Sequence, residues 1–226
     1  MVGTLTTISP RDLVKRLMDG ERDFSSTRLP SGETSLQDEE GYAELNEYLR
    51  GQDLRSDPVN VEGSDWRGLQ ARGLYLLAGK LAGINLSNAD LRGADFRRAE
   101  FTNADLHEAD LTGAFLSNAR SQQANLTGAV LRGADLYEAN LTGASLRGAD
   151  LTRAVLLKVP LKDADVTGAV LTDAIMYRAD LRGVVGLDKA TDLGTVTFYQ
   201  TVITAAEKAI IDAAVAAMPL FDVRSE

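Results

Sequence analysis

ANLTGAVLRGADLYEANLTGASLRGADL, residues 124–151, places Ala at every fifth position and Leu two places after each Ala. On an α-helix each residue advances by about 100°, so side chains five apart drift around the axis and build no stripe. In a flat strand successive side chains alternate, so the same set would point to both faces. Neither element can bury this pattern. The chain must turn by roughly a right angle between pentads, so that each Leu and the Ala before it both point inward. Four such sides close a square coil of about twenty residues. Stacked at the strand spacing of ~4.8 Å, each coil bonds its backbone to the coils above and below. The period predicts an all-β solenoid.

The pentads run without interruption from Ser64 to Gly183, which makes 24 pentads. At that spacing they form about six coils and a rod of about 29 Å. The central position is Leu or Phe in 19 of the 24, and the position two before it is Ala in 18. Small beside large is what a narrow, dry interior needs for close packing. Ser121 breaks the rule twenty residues after Phe101, which suggests that a large ring compensates a small neighbour. Trp66, Leu69, Leu74 and Ile84 stand where smaller residues are usual, so the first coils should be wider. A partial earlier coil is legible in residues 22–31 (Phe24, Leu29) and 52–61 (Leu54, Val59), with an excursion over 30–51 between them. The chain therefore reads as an N-terminal cap over 1–63, a repeat body over 64–183 and a C-terminal segment over 184–226.

An open solenoid exposes unpaired backbone at both ends, so caps are expected. "SPRD" at Ser9 combines an N-cap, a first-turn proline and a capping acid, and opens a helix with Leu13, Val14, Leu17 and Met18 on one side. "SLQD" at Ser35 predicts a second helix carrying Tyr42, Leu45, Tyr48 and Leu49 as far as Gly51. "TAAE" at Thr204 opens a third over about 205–218, with Ile210, Ile211, Ala214, Val215 and Met218 on one side and Pro219 ending it.

A(D/N)LxG in tandem resembles the pentapeptide-repeat family, and the match covers about half of the chain directly. The resemblance implies a right-handed quadrilateral β-helix, with short capping α-helices at both ends here. Such proteins are found chiefly in bacteria and are especially numerous in cyanobacteria, and the N-terminal helix running into "GERDF" (Gly20–Phe24) is similar to cyanobacterial members. Gyrase-protecting members dimerise through a C-terminal helix, so the third helix here is either a cap on a monomer or a dimer contact.

Composition bounds the chemistry. The 226 residues include no Cys and a single His, and the net charge is −9. Thiolate metal sites and disulfides are excluded, and a metal site of any kind is not expected. His107 follows a core Leu and should face solvent. Stacked Asp90 and Asp110 are expected to bond turn backbone rather than a cation. "GLYLLAGKL" near Gly73 has the wrong spacing for a phosphate loop, with Leu81 where Ser or Thr belongs. The sequons at Asn125 and Asn140 are by-products of the repeat. No nucleophile is paired with a base, so neither catalysis nor a cofactor is expected. The N-terminus has no basic start and apolar run, and Ala209–Phe221 is interrupted by Asp212 and Pro219. A soluble, cytoplasmic protein without membrane contact is the expectation.

Twenty-residue spacing sorts the outward positions into four faces. Three are mainly polar. The face built on Leu76, Phe96, Leu116, Leu136, Leu156 and Met176 bears Tyr75, Leu77, Phe115, Tyr137, Val155, Leu157, Ile175 and Tyr177 outside. An apolar stripe of that extent marks a protein contact. The alternative is that the tail "GTVTFYQTVIT" folds back over Val155, Leu157, Ile175 and Tyr177. The functional expectation is a rigid, non-catalytic rod presenting this face to an unidentified protein, either alone or docked within a larger assembly. The rival is a DNA mimic that modulates or protects a type II topoisomerase such as gyrase, as the family resemblance allows. Mimicry needs an acidic rod. Residues 64–183 instead carry 14 basic against 14 acidic side chains, with Arg67, Arg72, Arg92, Arg97, Arg98, Arg132, Arg147 and Arg153 along them. The acidity sits at the two ends, and no nucleic-acid partner is expected.

Overall fold

The computed structural model describes residues 4–30 and 34–217. From Asn60 to Val202 nearly every contact between coils is a parallel bridge at a fixed offset of twenty residues, such as Phe115 with Asp135 and Val130 with Asp150. Four such ladders run side by side, which makes a four-sided stack. Each bridge is a single residue long, so few continuous strands form, although the backbone is bonded throughout.

The pentad satisfies its backbone donors one by one. Leu136 donates its N–H to Val155 O in the coil above (2.9 Å), and Asp135 donates to Ala114 O in the coil below (3.0 Å). Glu138 donates upward to Leu157 O (2.8 Å), and Ala139 closes the turn onto Leu136 O (2.9 Å). The fifth donor, Tyr137 N–H, is bonded by the Asp135 side chain at 3.0 Å. Asn125, Asn140, Asp110, Asp150 and Asp165 do the same for the residue two places on. This is the reason for Asp or Asn before about half of the core Leu residues: a short acceptor reaches the one amide the ladders leave free.

Inward, the Ala and Leu columns are buried, together with Phe96 and Phe101, which meet edge to face at 5.1 Å. Ser121 is buried in the same layer of columns. Trp66 fills the wider first coil, its indole N–H on Thr27 Oγ1 at 3.2 Å. The buried Ser64 hydroxyl ties that coil to Phe24 O at 2.8 Å.

At the N-terminal end β1 (Thr6–Thr7) pairs with β2 (Thr27–Arg28), and Asp23 and Arg28 bridge onto Asn60 and Asp65. Between the strands, α1 (Pro10–Met18) starts on the Ser9 cap as expected and buries Leu13, Val14 and Leu17, whereas Met18 is exposed. The second helix begins later than its capping signal suggests. Ser35 does accept from Asp38 N–H, but Thr34–Ser35 forms β3, which pairs with β4 (Leu69–Gln70). Gly41 at φ +88° then precedes α2 (Tyr42–Arg50), with Tyr42, Leu45 and Leu49 buried. α2 stands where one side of the first coil would be. Its Asn46 Oδ1 accepts the Tyr75 N–H at 2.9 Å, replacing the carbonyl a lower coil would supply.

Coiling does not stop at Gly183. Val185, Thr191 and Val202 bridge back to Asp165, Val170 and Asp180, and β5 (Ile175–Tyr177) pairs with β6 (Thr197–Tyr199). The offset rises from twenty to 22 residues because two 3-10 turns, Leu187–Lys189 and Leu193–Thr195, bulge outward in this last coil. Over it lies α3 (Ala205–Ala216), capped by Thr204 and Glu207 in a reciprocal box. Met218 and Pro219, expected at its end, lie outside the described residues.

Candidate interaction face

The Phe96 face has two outward rows beside its core column. One is the ladder Tyr75, Asp95, Phe115, Asp135, Val155, Ile175 and Thr197. The other holds Leu77, Arg97, Ser117, Tyr137, Leu157, Tyr177 and Tyr199, one place after the core column. Of the eight residues expected to form the face, the structure places seven on its open side or margin. Phe115 is 48% exposed and Ile175 38%, whereas Leu77, Tyr137, Val155, Leu157 and Tyr177 are half-buried.

Tyr75 is the correction. It retains 7% of its surface because α2 covers it, with the Arg50 guanidinium 5.3 Å from its ring centre. It belongs to the N-terminal cap and not to the open face. Asp95 and Asp135 also divide the ladder, so the apolar surface is strongest from Phe115 toward the C-terminal end.

The tail does not cover that end. β6 adds a further rung, and Tyr199 stacks on Tyr177 with ring centres 5.1 Å apart and planes 10° from parallel. Tyr199 is 55% exposed and extends the row by one aromatic. Sequence reasoning missed it because the 22-residue offset breaks the register that sorted the other residues into faces.

Cations border the aromatics. Lys158 Nζ donates to Glu138 Oε1 at 2.8 Å and to Tyr137 Oη at 2.9 Å. Those two bonds, Glu138 first, push the ammonium pKa up to about 12. Arg178 lies 5.3 Å from the Tyr177 ring centre and donates to Gln200 Oε1 at 2.7 Å.

The other positions singled out in the sequence find structural partners. His107 Nδ1 lies 3.0 Å from Thr127 O in the next coil. Asp90 is held by Arg72 at 2.7 Å and Arg92 at 2.6 Å. On the side of α3, Ile211 and the Glu207 carboxylate are buried, and Glu207 Oε1 accepts the Gly183 N–H at 3.1 Å. Thr204, foremost, holds that carboxyl below its ordinary range. α3 packs on both 3-10 turns and so acts as a lid on the stack, leaving Val215 half exposed. A groove of about 740 Å³ runs between Leu187, Leu193, Ile210, Ala214 and Ala217.

A capped, four-sided stack of pentads with an aromatic row outside defines a β-solenoid of the repeat class. The pentapeptide-repeat profile matches residues 80–118, 122–156 and 161–185, in eight copies. The chain belongs to the pentapeptide-repeat family. No curated protein sequence matches it. Among solved structures it is similar to a pentapeptide repeat protein from Nostoc, with 35% identity over 46% of this chain and 84% of that one (TM-score 0.38). A pentapeptide repeat protein from the Arabidopsis thaliana thylakoid lumen is 33% identical over 43% of this chain and 71% of that one (TM-score 0.36). Full-length QnrB1, a plasmid-mediated fluoroquinolone resistance protein, aligns over 69% of this chain and 89% of its own, at 16% identity and a TM-score of 0.50. At that identity the likeness is one of fold. Among the described residues no helix is long and apolar enough to cross a membrane.

Proposed function

We propose that this protein is a non-catalytic interaction rod that offers the Phe96 face, from Phe115 to Tyr199, to a protein partner. In this reading residues 64–183 form the body of a right-handed quadrilateral β-helix, and residues 1–63 and 184–226 close its ends. The observation that carries the proposal is the exposure of a large aromatic where the repeat prefers Asp or Asn. With Phe115 and Val155 in the ladder, the N–H groups of Ser117 and Leu157 lose the side-chain acceptor that Asp135 provides for Tyr137. The solenoid buries only about half of Phe115, whose ring otherwise lies in water. Aromatic anchors in such positions contribute on the order of 2 kcal/mol each to a protein contact when central.

The gyrase reading requires a continuous acidic surface resembling duplex phosphates. Along the rod the carboxylates are tied to arginines instead: Arg97 to Asp95 and Arg182 to Asp180, both at 2.6 Å, and Arg147 to Asp165 at 2.9 Å. That charge pattern favours the interaction rod. The packing of α3 on its own coil favours a monomer over a dimer made through that helix, and a cytoplasmic setting suits a chain without Cys.

The double variant Phe115→Ser, Tyr137→Ser tests the proposal. It should lose its partner in affinity capture from the source organism while its Tm stays within about 2 °C of the parent. Retained capture with a lowered Tm would assign these side chains to the fold alone. The parent should also leave gyrase supercoiling unchanged with or without a quinolone; inhibition or protection at low micromolar protein would install the rival.

A further inference from the structure

Every pentad turns its corner on a residue in the left-handed region, where a Cβ is strained and glycine is favoured. Between Gly63 and Gly183 three of the four corner rows each use four glycines. The fourth row uses none. It comprises Ala78, Arg98, Asn118, Glu138, Lys158, Arg178 and Gln200, all with φ between +50° and +63°. This is the corner that borders the aromatic row of the Phe96 face. Strain retained at every step of one row, where glycine serves at most steps of the others, points to a use for the side chains outside the fold.

Their charge is also distinctive. Among the described residues Arg98 and Arg178 have no acidic partner, and neither does Arg55, which the N-terminal segment brings to the same edge. Arg55, Arg97 and Arg98 line one groove of about 320 Å³ with Leu77, Ser117 and Asn118. Of these three guanidinium groups only Arg97 is neutralised, by Asp95 at 2.6 Å. Asp53 near Arg55, Asp135 and Glu138 are the remaining acids of the edge, so Arg55, Arg97, Arg98, Lys158 and Arg178 outnumber its carboxylates on a chain of net charge −9.

We propose that this edge receives an acidic, apolar-striped segment of a protein. Its carboxylates meet Arg98, Arg178 and the Arg55–Arg97–Arg98 groove, and its apolar side chains lie on Tyr137, Leu157, Tyr177 and Tyr199. The inference rests on the reading of the Phe96 face as a protein contact and adds the chemistry of the partner. From Leu77 to Tyr199 the row spans about 29 Å at the ~4.8 Å coil spacing, the length of about 19 helical residues.

The test uses the full chain and three labelled probes in fluorescence anisotropy at low and high salt. Two are peptides of about 20 residues with Leu and Phe at three- and four-residue spacing, the remaining positions Glu in one and Lys in the other. The third is oligo(dT). The Glu peptide should bind about tenfold tighter than the Lys peptide, the worth of one charge-assisted hydrogen bond, and salt should narrow the gap. Arg55→Ser with Arg98→Gly should erase the preference. Arg98→Gly and Arg178→Gly should each weaken the Glu peptide while raising Tm slightly, a combination that a purely structural corner would not give. Equal binding of both peptides would overturn the acidic partner and leave the face standing. Binding of neither peptide would overturn the face as well, and preference for oligo(dT) would replace the protein by a single-stranded nucleic acid.

Discussion

The Leu91–Leu171 face and the Phe96 face share one backbone, one bonding scheme and the same buried columns, yet their outer surfaces follow different rules. On the first, the ladder holds Asp90, Asp110 and Asp150 with Val130 and Val170 between and beyond them, and arginines hold the acids: Arg92 bonds Asp90 at 2.6 Å and approaches Asp110 at 3.5 Å, and Arg132 bonds Asp150 at 2.6 Å. Glycine at 73, 93, 113 and 133 turns its first four corners without strain, and Arg153 and Asp173 turn the next two. On the second, coil by coil, Phe115 and Val155 stand where the first has Asp110 and Asp150, Tyr137 stands where it has Arg132 and Tyr177 where it has Thr172, and no glycine turns the corner. The second departs from the first in its outward aromatics, Phe115, Tyr137, Tyr177 and Tyr199, which is why function is assigned to it.

The largest effect should come from what the two faces share. Leu131→Lys and Leu136→Lys each bury a charge that has no partner and no exit from a dry column, which costs several kcal/mol. Both variants should unfold in circular dichroism at temperatures where the parent is intact. Tyr137→Lys, one residue outward from Leu136, should melt like the parent. Equal melting of the Leu136 and Tyr137 variants would reverse the inside and outside of the rod.

Next come the ends that close both faces. Glu207→Ala removes the capping-box acceptor and the partner of Gly183 N–H, and should cost about 1–3 kcal/mol in chemical denaturation. The same carboxyl sets an acid limit. Its folded pKa lies below the ordinary 4.5, first through the Thr204 hydroxyl, and that of Asp180 lies below 3.8, first through Arg182. Their stabilisation is complete above those ordinary values and is lost as pH falls through the lower folded ones. Tm should therefore be flat from neutral pH to about 5 and decline below it, less steeply in Glu207→Gln. A decline on the alkaline side of neutrality alone would contradict this assignment.

A smaller change should follow on the paired face. Arg132→Ala breaks an exposed pair and should cost about 0.5 kcal/mol, a shift of about 1–2 °C. A large loss there would mean that the Arg–Asp ladders hold the rod together, and that the contrast between the faces is one of stability.

The repeat body was legible because its signal is local: Ala and Leu at five-residue spacing exclude the other periodic structures, and Asp or Asn before Leu names the acceptor of the fifth amide. The face was legible to the extent that register sorts residues. Tyr75 and Phe115 occupy equivalent ladder positions two coils apart, and nothing in their neighbourhoods distinguishes them. What buries one is α2, whose Arg50 lies over the Tyr75 ring and whose Asn46, 29 residues earlier, accepts the Tyr75 N–H, and the placement of that helix depends on the whole N-terminal segment. Tyr199 escaped because two extra residues in the last coil move it out of phase. The start of α2 was misread because the Ser35 turn is a true capping contact that leads into a strand pair.

The absence of Cys allows the central claim to be measured directly. Single cysteines introduced at positions 75, 115, 137, 130 and 170 can be labelled with a thiol reagent, in the free chain and with its captured partner bound. In the free chain the account predicts fast labelling at 115, slower labelling at 137 and almost none at 75, beneath α2. With the partner bound, 115 and 137 should become protected while 130 and 170, on the paired face, keep their rates. Protection at 130 and 170 with 115 and 137 unchanged would place the contact on the wrong face and contradict the account.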